Sequence, residues 1–196
     1  MKKLTFGIDI DGVLRDFLGG CLDIYRSEKG VIKDRESCTS YDLKDSFPDI
    51  PNATEYFLNG WRRDKILLGA RTMPNAVDSF NILSEIGHTI IITHQVGFEN
   101  QKLTLQWLNK NGFNFDDICF IKDKWHIGGL DFFLDDSPYK FKHCTAETGV
   151  MIDAPYNRNV DLSKLSSENK CVRMMRCESL YDFTVRLTNG QISKLN

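Results

Sequence analysis

The sequence predicts an α/β fold: a parallel sheet flanked by helices, with a small, mostly helical insertion after the first strand. Three observations predict it. Short apolar runs recur along the chain, separated by segments in which apolar residues keep helical spacing, and that alternation implies a parallel sheet with right-handed crossovers. Two of the runs end in close carboxylates, Asp9 with Asp11 and Asp135 with Asp136. Between Glu28 and Pro74 the alternation lapses into a polar stretch, broken by prolines and then rich in aromatics.

The elements follow in order. Leu4 to Ile8 reads as a buried strand, and Gly12 breaks it, because glycine takes backbone angles that other residues avoid. Leu14 to Tyr25 reads as a helix, with Phe17, Cys21, Ile24 and Tyr25 on its apolar side. The insertion is polar around residues 33–46, is interrupted by Pro48 and Pro51, and regains aromatics at Tyr56, Phe57 and Trp61. Met73-Pro74-Asn75-Ala76 opens a helix that runs to Ile86, where Gly87 ends it. His88 to Thr93 carries three isoleucines in a row and reads as a strand buried on both faces. Glu99 to Asn111 is a helix with Leu103, Trp107 and Leu108 inward and Gly112 at its end. Ile118 to Ile121 and Leu130 to Leu134 are short strands, and Ser137 to about Thr145 starts a helix or helical turn. Val150 to Asp153 and Val172 to Met175 are outer strands, and Leu180 to Leu187 is the closing helix.

Composition narrows the function. A chain of 196 residues supports one compact core with a small insertion. Hydrophobic residues at 41% and charged residues at 27% are a globular balance, and a net charge of -2 gives no basic surplus for a dedicated nucleic-acid binder. The apolar run after Lys2 and Lys3 is too short for a secretory signal, and no stretch reaches the length of a membrane span. The six cysteines contain no Cys-x-x-Cys pair, which argues against zinc; reduced thiols in a cytoplasmic protein are expected.

Asp9 and Asp11 are two residues apart, so on an extended backbone they point to the same side. Like charges held that close raise each other's pKa unless a cation intervenes. A hard divalent ion such as Mg²⁺ relieves the repulsion; so does protonating one carboxylate, which then serves as a general acid, and both remedies can operate together. As a plain structural feature Asp-x-Asp-Gly is a helix-capping loop, and Asp-Asp-Ser-Pro is a good helix start. The strand before each pair, and the recurrence of pairs at two strand tips, favour a site. The four histidines have no metal-site spacing.

The stretches DIDGVLRDFLGG (Asp9 to Gly20), KLTLQWLNKNGFNFDDI (Lys102 to Ile118), DFFLDDSPY (Asp131 to Tyr139) and IDAPYN (Ile152 to Asn157) occur in the order found in one group of enzymes. With them the chain resembles the haloacid dehalogenase superfamily, and within it the 5'(3')-deoxyribonucleotidases and their bacterial and phage relatives. The resemblance implies a Rossmann-like core over residues 1–14 and 75–196 and a helical cap over 15–74. It implies a Mg²⁺-dependent phosphatase that hydrolyses nucleoside monophosphates through an aspartyl-phosphate. Asp9 is then the nucleophile and Asp11 the acid/base; spacing alone does not say which aspartate does which. Thr93 and Lys124 are implied as catalytic groups that hold the phosphoryl oxygens, with Lys122 as the fallback cation. Asp9, Asp11 through its carbonyl, Asp135 and Asp136 are the implied metal ligands. Phe17, Trp61 and His94 join Thr93 and Lys124 as substrate contacts, while Tyr41 and Phe47 are expected to fill the insertion's own core. His94 and Gln95 after Thr93, and a linker from Trp125 to Gly129 one residue longer than expected, depart from the family pattern.

The implied partner is a small phosphate monoester, a deoxyribonucleoside monophosphate first, with no membrane and no stable nucleic-acid partner; a homodimer is left open. The competing readings are a phosphatase for another small phosphate ester or for a nucleic-acid 3'-phosphate, and a catalytically idle relative that binds nucleotide.

Overall fold

The structure, a computed structural model, describes residues 3–168 and 173–193. The strands are β1 (Leu4–Ile8), β2 (Gly87–Thr93), β3 (Asp117–Phe120), β4 (Phe132–Asp135), β5 (Thr148–Ile152) and β6 (Arg173–Cys177). They form one parallel sheet in the order β3-β2-β1-β4-β5-β6. The chain winds outward from β1 in one direction, then returns to the other side of β1 at β4. Open α/β sheets bind ligands at such a reversal, beyond the carboxyl ends of the strands.

Helices cover both faces. Phe6, Ile8, Ile91, Phe132, Leu134 and Val150 form one buried face of the sheet, packed on α5 (Ala76–Ile86), α6 (Phe98–Asn111) and α8 (Leu180–Thr188). Phe6 stacks on Phe132 at 5.7 Å, and Phe183 of α8 meets Phe132 edge-on at 5.3 Å. Ile92, Phe133 and Met151 point the other way, towards Phe141, Cys144 and the helix α7 (Leu162–Glu168). Gly7 belongs to this second face, where a Cβ would come within 2.7 Å of both Ile92 Cδ1 and Leu130 Cδ1. Each fully buried aromatic or aliphatic side chain contributes about 1.5–3 kcal/mol, so this two-sided burial carries the sheet.

The insertion contains α1 (Phe17–Lys29), a 3₁₀ turn at Arg35–Ser37, and the short helices α2 (Leu43–Ser46), α3 (Ala53–Phe57) and α4 (Gly60–Leu67). It has a separate apolar cluster of Cys21, Ile24, Phe47, Phe57, Ile66 and Leu67, joined from the sheet side by Leu103. Its two connections lie side by side. Asp16 N–H donates to Arg71 O at 2.9 Å, Met73 N–H donates to Leu14 O at 2.7 Å, and Arg15 pairs with Thr72 in an antiparallel bridge.

Several expectations shift. The first helix starts at Phe17 rather than Leu14, because Asp16 caps it by accepting from Gly19 N–H at 2.9 Å; Val13 and Leu14 instead belong to a buried turn. The segment after Asp136 contracts to a 3₁₀ turn at Pro138–Lys140. On β2, Thr89, Ile91, Ile92 and Thr93 are buried, but His88 and Ile90 are half-buried. The polar helix α7 had no apolar pattern to announce it. Val172, the expected start of the last strand, and Cys171 lie outside the described residues; Cys21, Cys38, Cys119 and Cys177 are thiols outside any disulfide. Among the described residues no helix is long and apolar enough to cross a membrane.

Candidate active site

A cleft of about 900 Å³ opens above the carboxyl ends of β1, β2 and β4 and below the insertion. At its floor four charged groups are buried together. Lys124 Nζ, in a 3₁₀ turn after β3, lies 2.7 Å from Asp9 Oδ1 and 2.6 Å from Asp135 Oδ2. Carboxylate oxygens of Asp9, Asp135 and Asp136 all fall within 4.8 Å of one another. Asp9 is fixed by its N–H, which donates to Leu134 O at 3.0 Å, and Asp135 accepts from Ser137 N–H at 2.8 Å. The Asp136 carboxylate accepts from the Tyr156 hydroxyl. Its backbone carbonyl accepts from Asn157 Nδ2 at 2.8 Å.

Three buried carboxylates against one ammonium leave the knot short of positive charge. Burial, with the nearby charges of Asp135 and Asp11, pushes the Asp9 carboxyl up to about 7, although Lys124 pulls it down. Burial, then Asp135 and Asp9, pushes Asp136 well above the carboxylate range. Burial alone would lower the pKa of Lys124, but Asp135 and Asp9 outweigh it and hold the ammonium charged. A set of hard oxygen donors that is short of positive charge suits a divalent cation.

Asp11 sits apart from this knot. Arg15 Nε donates to its Oδ1 at 2.7 Å and Arg15 Nη2 to its Oδ2 at 3.1 Å, while Gln95 Nε2 reaches Oδ2 at 2.9 Å. Thr93 ends β2 fully buried on the cleft wall, and its Oγ1 finds no hydrogen-bond partner among the described residues. An unpaired buried hydroxyl costs about 1–3 kcal/mol, a cost that a bound oxyanion at this wall removes. Gly12 lies under the knot with φ +82°, and a Cβ there would stand 1.6 Å from Asp136 Oδ2.

The sequence-predicted residues therefore divide. Asp9, Asp135, Asp136, Lys124 and Thr93 come together. Asp11, half-buried Phe17 and exposed His94 line the same cleft. Burial and the cations Lys140, Lys122 and Lys124 lower the His94 pKa, keeping it neutral near pH 7. Trp61 does not line the cleft; it is exposed on α4, with the Arg62 guanidinium 5.3 Å from its ring. Phe47 fills the insertion's cluster, but Tyr41 does not: it lines the cleft and meets Tyr139 and Tyr156 edge-on at 5.7 and 5.6 Å. Lys122 offers its backbone carbonyl to Lys140 Nζ at 3.2 Å, and the cation in the knot is Lys124.

Sequence reading missed Arg15, Gln95, Tyr156 and Asn157. Arg15 is four residues from Asp11, but they pair across a turn, not on a helix. Tyr156 and Asn157 sat inside a matched stretch and carried no role of their own. Around the rim three cations are paired with carboxylates: Arg35 with Asp16, Lys44 with Asp42, and Arg158 with Asp153 and with Glu36 of the insertion.

Comparison with known proteins gives the family and the fold. Residues 3–178 match the family described as "5' nucleotidase, deoxy (Pyrimidine), cytosolic type C protein". A "Putative 5'(3')-deoxyribonucleotidase" of Chlorobaculum tepidum is 29% identical over 148 residues, covering 70% of this chain and 71% of that protein. Among solved structures, a haloacid dehalogenase-like hydrolase from Streptococcus pneumoniae superposes with TM-score 0.63 at 14% identity, covering 97% of this chain and 99% of the other. A hydrolase of the same superfamily from Deinococcus radiodurans R1, with bound phosphate and sodium, gives 0.58 at 14% identity, covering 99% of each chain.

Proposed function

The chain belongs to the cytosolic type C 5'-nucleotidase family, within the haloacid dehalogenase superfamily, and from that premise we propose that it hydrolyses deoxyribonucleoside monophosphates through a phosphorylated Asp9. It is a nucleotidase, a phosphoric monoester hydrolase. The observation that carries the finer reading is the knot of Asp9, Lys124, Asp135 and Asp136 on the floor of a cleft whose wall holds an unpartnered Thr93 hydroxyl.

In this reading ionised Asp9 attacks phosphorus in line with the leaving ribose oxygen, and the P–O bond to the sugar breaks as the aspartyl-phosphate forms. Asp11 gives its proton to that oxygen, then takes one from the water that cleaves the acyl phosphate. Lys124 and the Thr93 hydroxyl donate to the phosphoryl oxygens. Asp9, the Asp11 carbonyl, and Asp135 or Asp136 would hold a divalent ion, Mg²⁺ by choice of hard donors beside phosphate. When bound, the ion supplies positive charge that keeps Asp9 ionised and screens an incoming phosphate from the carboxylates.

Residues 15–74 act as the cap that covers the phosphate site and selects the alcohol part of the ester, and residues 1–14 and 75–196 as the catalytic core. Phe17 and Tyr41 give the cleft aromatic surface for a planar base. At the rim Arg35, Lys44 and Arg158 are each paired with carboxylates and the chain's net charge is -2, which favours a mononucleotide over a polynucleotide.

The test is phosphate release, with Mg²⁺ and with excess chelator, from 5'- and 3'-monophosphates of deoxyribo- and ribonucleosides, from sugar phosphates and from 3'-phosphorylated oligonucleotides. Fastest Mg²⁺-dependent turnover is expected on a deoxyribonucleoside monophosphate, and none from a folded Asp9→Asn variant. Preference for a sugar phosphate or an oligonucleotide end would overturn the substrate, and turnover by Asp9→Asn would overturn the covalent route.

A further inference from the structure

We infer that Arg15 is the positioning residue that fixes the direction of the Asp11 carboxyl group, and so aligns Asp11 with the leaving oxygen for proton transfer; the inference rests on the acid role given to Asp11 above. The Arg15 side chain is fully buried, an expensive place for a charge. It is anchored independently of Asp11. Nη1 donates to Leu67 O, the last residue of α4, at 2.7 Å, and lies 3.4 Å from Thr104 Oγ1 of α6. The guanidinium also lies over the Trp107 ring, 5.3 Å from its centroid. Its backbone is held as well: Arg15 N–H donates to Ile10 O at 2.8 Å, and Gly12 N–H donates to Arg15 O at 2.9 Å.

A guanidinium pinned on that side presents a rigid fork on the other. The fork takes both oxygens of Asp11, at 2.7 and 3.1 Å, and such a two-point contact permits one orientation of the carboxylate plane. Gln95 Nε2 adds a third donor at 2.9 Å. The Asp11 side chain is still 26% exposed, and it lines the cleft. A carboxyl that turned freely would meet the leaving oxygen in only a fraction of its orientations; the fork removes that loss. Lysine cannot substitute, because a single ammonium does not define a plane.

A purely structural ion pair and a positioning pair differ in how they affect leaving groups. A sugar alkoxide leaves only with a proton, whereas 4-nitrophenolate leaves as the anion. Both esters need the same Asp9 attack, and kcat/KM reports on the steps through bond cleavage. Arg15→Met is expected to lower kcat/KM for a deoxyribonucleoside 5'-monophosphate about 100-fold and for 4-nitrophenyl phosphate less than about 3-fold. Equal losses on the two esters, or no loss on either, would overturn the inference. Should Arg15→Met fail to fold by circular dichroism, Arg15→Lys carries the same comparison, keeping the charge while losing the fork. A wild-type protein inactive on nucleotides would count against the substrate reading instead, and the comparison then uses whichever alkyl phosphate the wild type accepts.

Discussion

Replacing Gly12 with alanine puts a methyl group where the Asp136 carboxylate sits. The Cβ would lie 1.6 Å from Asp136 Oδ2 and 2.5 Å from its Cγ, at a backbone φ of +82°. The left-handed backbone costs a side-chain-bearing residue about 1–2 kcal/mol. Clearing the methyl means turning the Asp136 carboxyl away from the Tyr156 hydroxyl, and leaving a buried polar group without its partner costs about 1–3 kcal/mol more. Asp136 cannot slide as a whole, because it directly follows β4 and Asn157 holds its carbonyl at 2.8 Å. The sum, about 2–5 kcal/mol, is a large share of the stability of an ordinary domain. Urea denaturation in chelator reads that loss as a lower midpoint at unchanged slope. Mg²⁺ titration of phosphate release reads the displaced ligand, with an expected rise of about 10–100-fold in half-saturating Mg²⁺. Gly30→Ala is the control: φ is +68°, nothing lies within 4 Å of its Cβ, and only the backbone cost should appear. A Gly12→Ala protein with the wild-type midpoint and Mg²⁺ response would refute the claim that Gly12 clears space for Asp136.

Four further outcomes are expected. Asp9 titrates at about 7 in the folded protein, well above the ordinary carboxylate range, so the folded state holds the proton more tightly. Metal-free stability should therefore fall as pH rises from about 4 to about 7, by up to about 1.4 kcal/mol per pH unit for Asp9, with the raised Asp136 carboxyl adding to the fall in the same direction, and denaturation midpoints across that range that do not fall would contradict it. Mg²⁺ must displace that proton, so its affinity, measured by calorimetry, should weaken towards tenfold per pH unit below about pH 7. Phe17→Ala should raise KM for nucleotides far more than for a small aryl phosphate, whereas Trp61→Ala should change neither, since Trp61 stands outside the cleft; an equal rise on both esters for Phe17→Ala removes the base-contact role. Tyr156→Phe should weaken Mg²⁺ binding by roughly 10-fold while leaving the fold intact, and unchanged metal affinity would show that the hydroxyl does not orient Asp136.

The centre of the sheet was readable because its strands are mostly buried and so written as apolar runs; Ile91 with Ile92, and Phe132 to Leu134, leave little alternative. Helix starts were less readable where burial and helicity part company: Val13 and Leu14 are apolar because they lie beneath the catalytic turn, not because they belong to α1. The acidic knot was legible because its members sit at strand ends, which the fold brings together. Trp61 was misplaced because composition does not tell the inward from the outward side of an eight-residue helix. Arg15, Tyr156 and Asn157 were invisible for a common reason. Each acts by holding an aspartate that was already conspicuous, through contacts that exist only after the chain has folded.

The paired connections at Leu14–Asp16 and Arg71–Met73 have a consequence for how such a protein can change over time. A segment whose two ends are hydrogen-bonded to each other looks, to the sheet, like a closed loop. The entropy of closing a flexible loop grows only logarithmically, about 0.6 kcal/mol for each doubling of length. Lengthening, shortening or rebuilding what lies between those connections therefore disturbs the strands little. Arg15 sits in that clasp, so the proposed acid Asp11 and the two connections of the segment are tied through one residue. Lineages are free to remodel the segment's interior, but the clasp itself can drift only as far as Asp11 stays aligned.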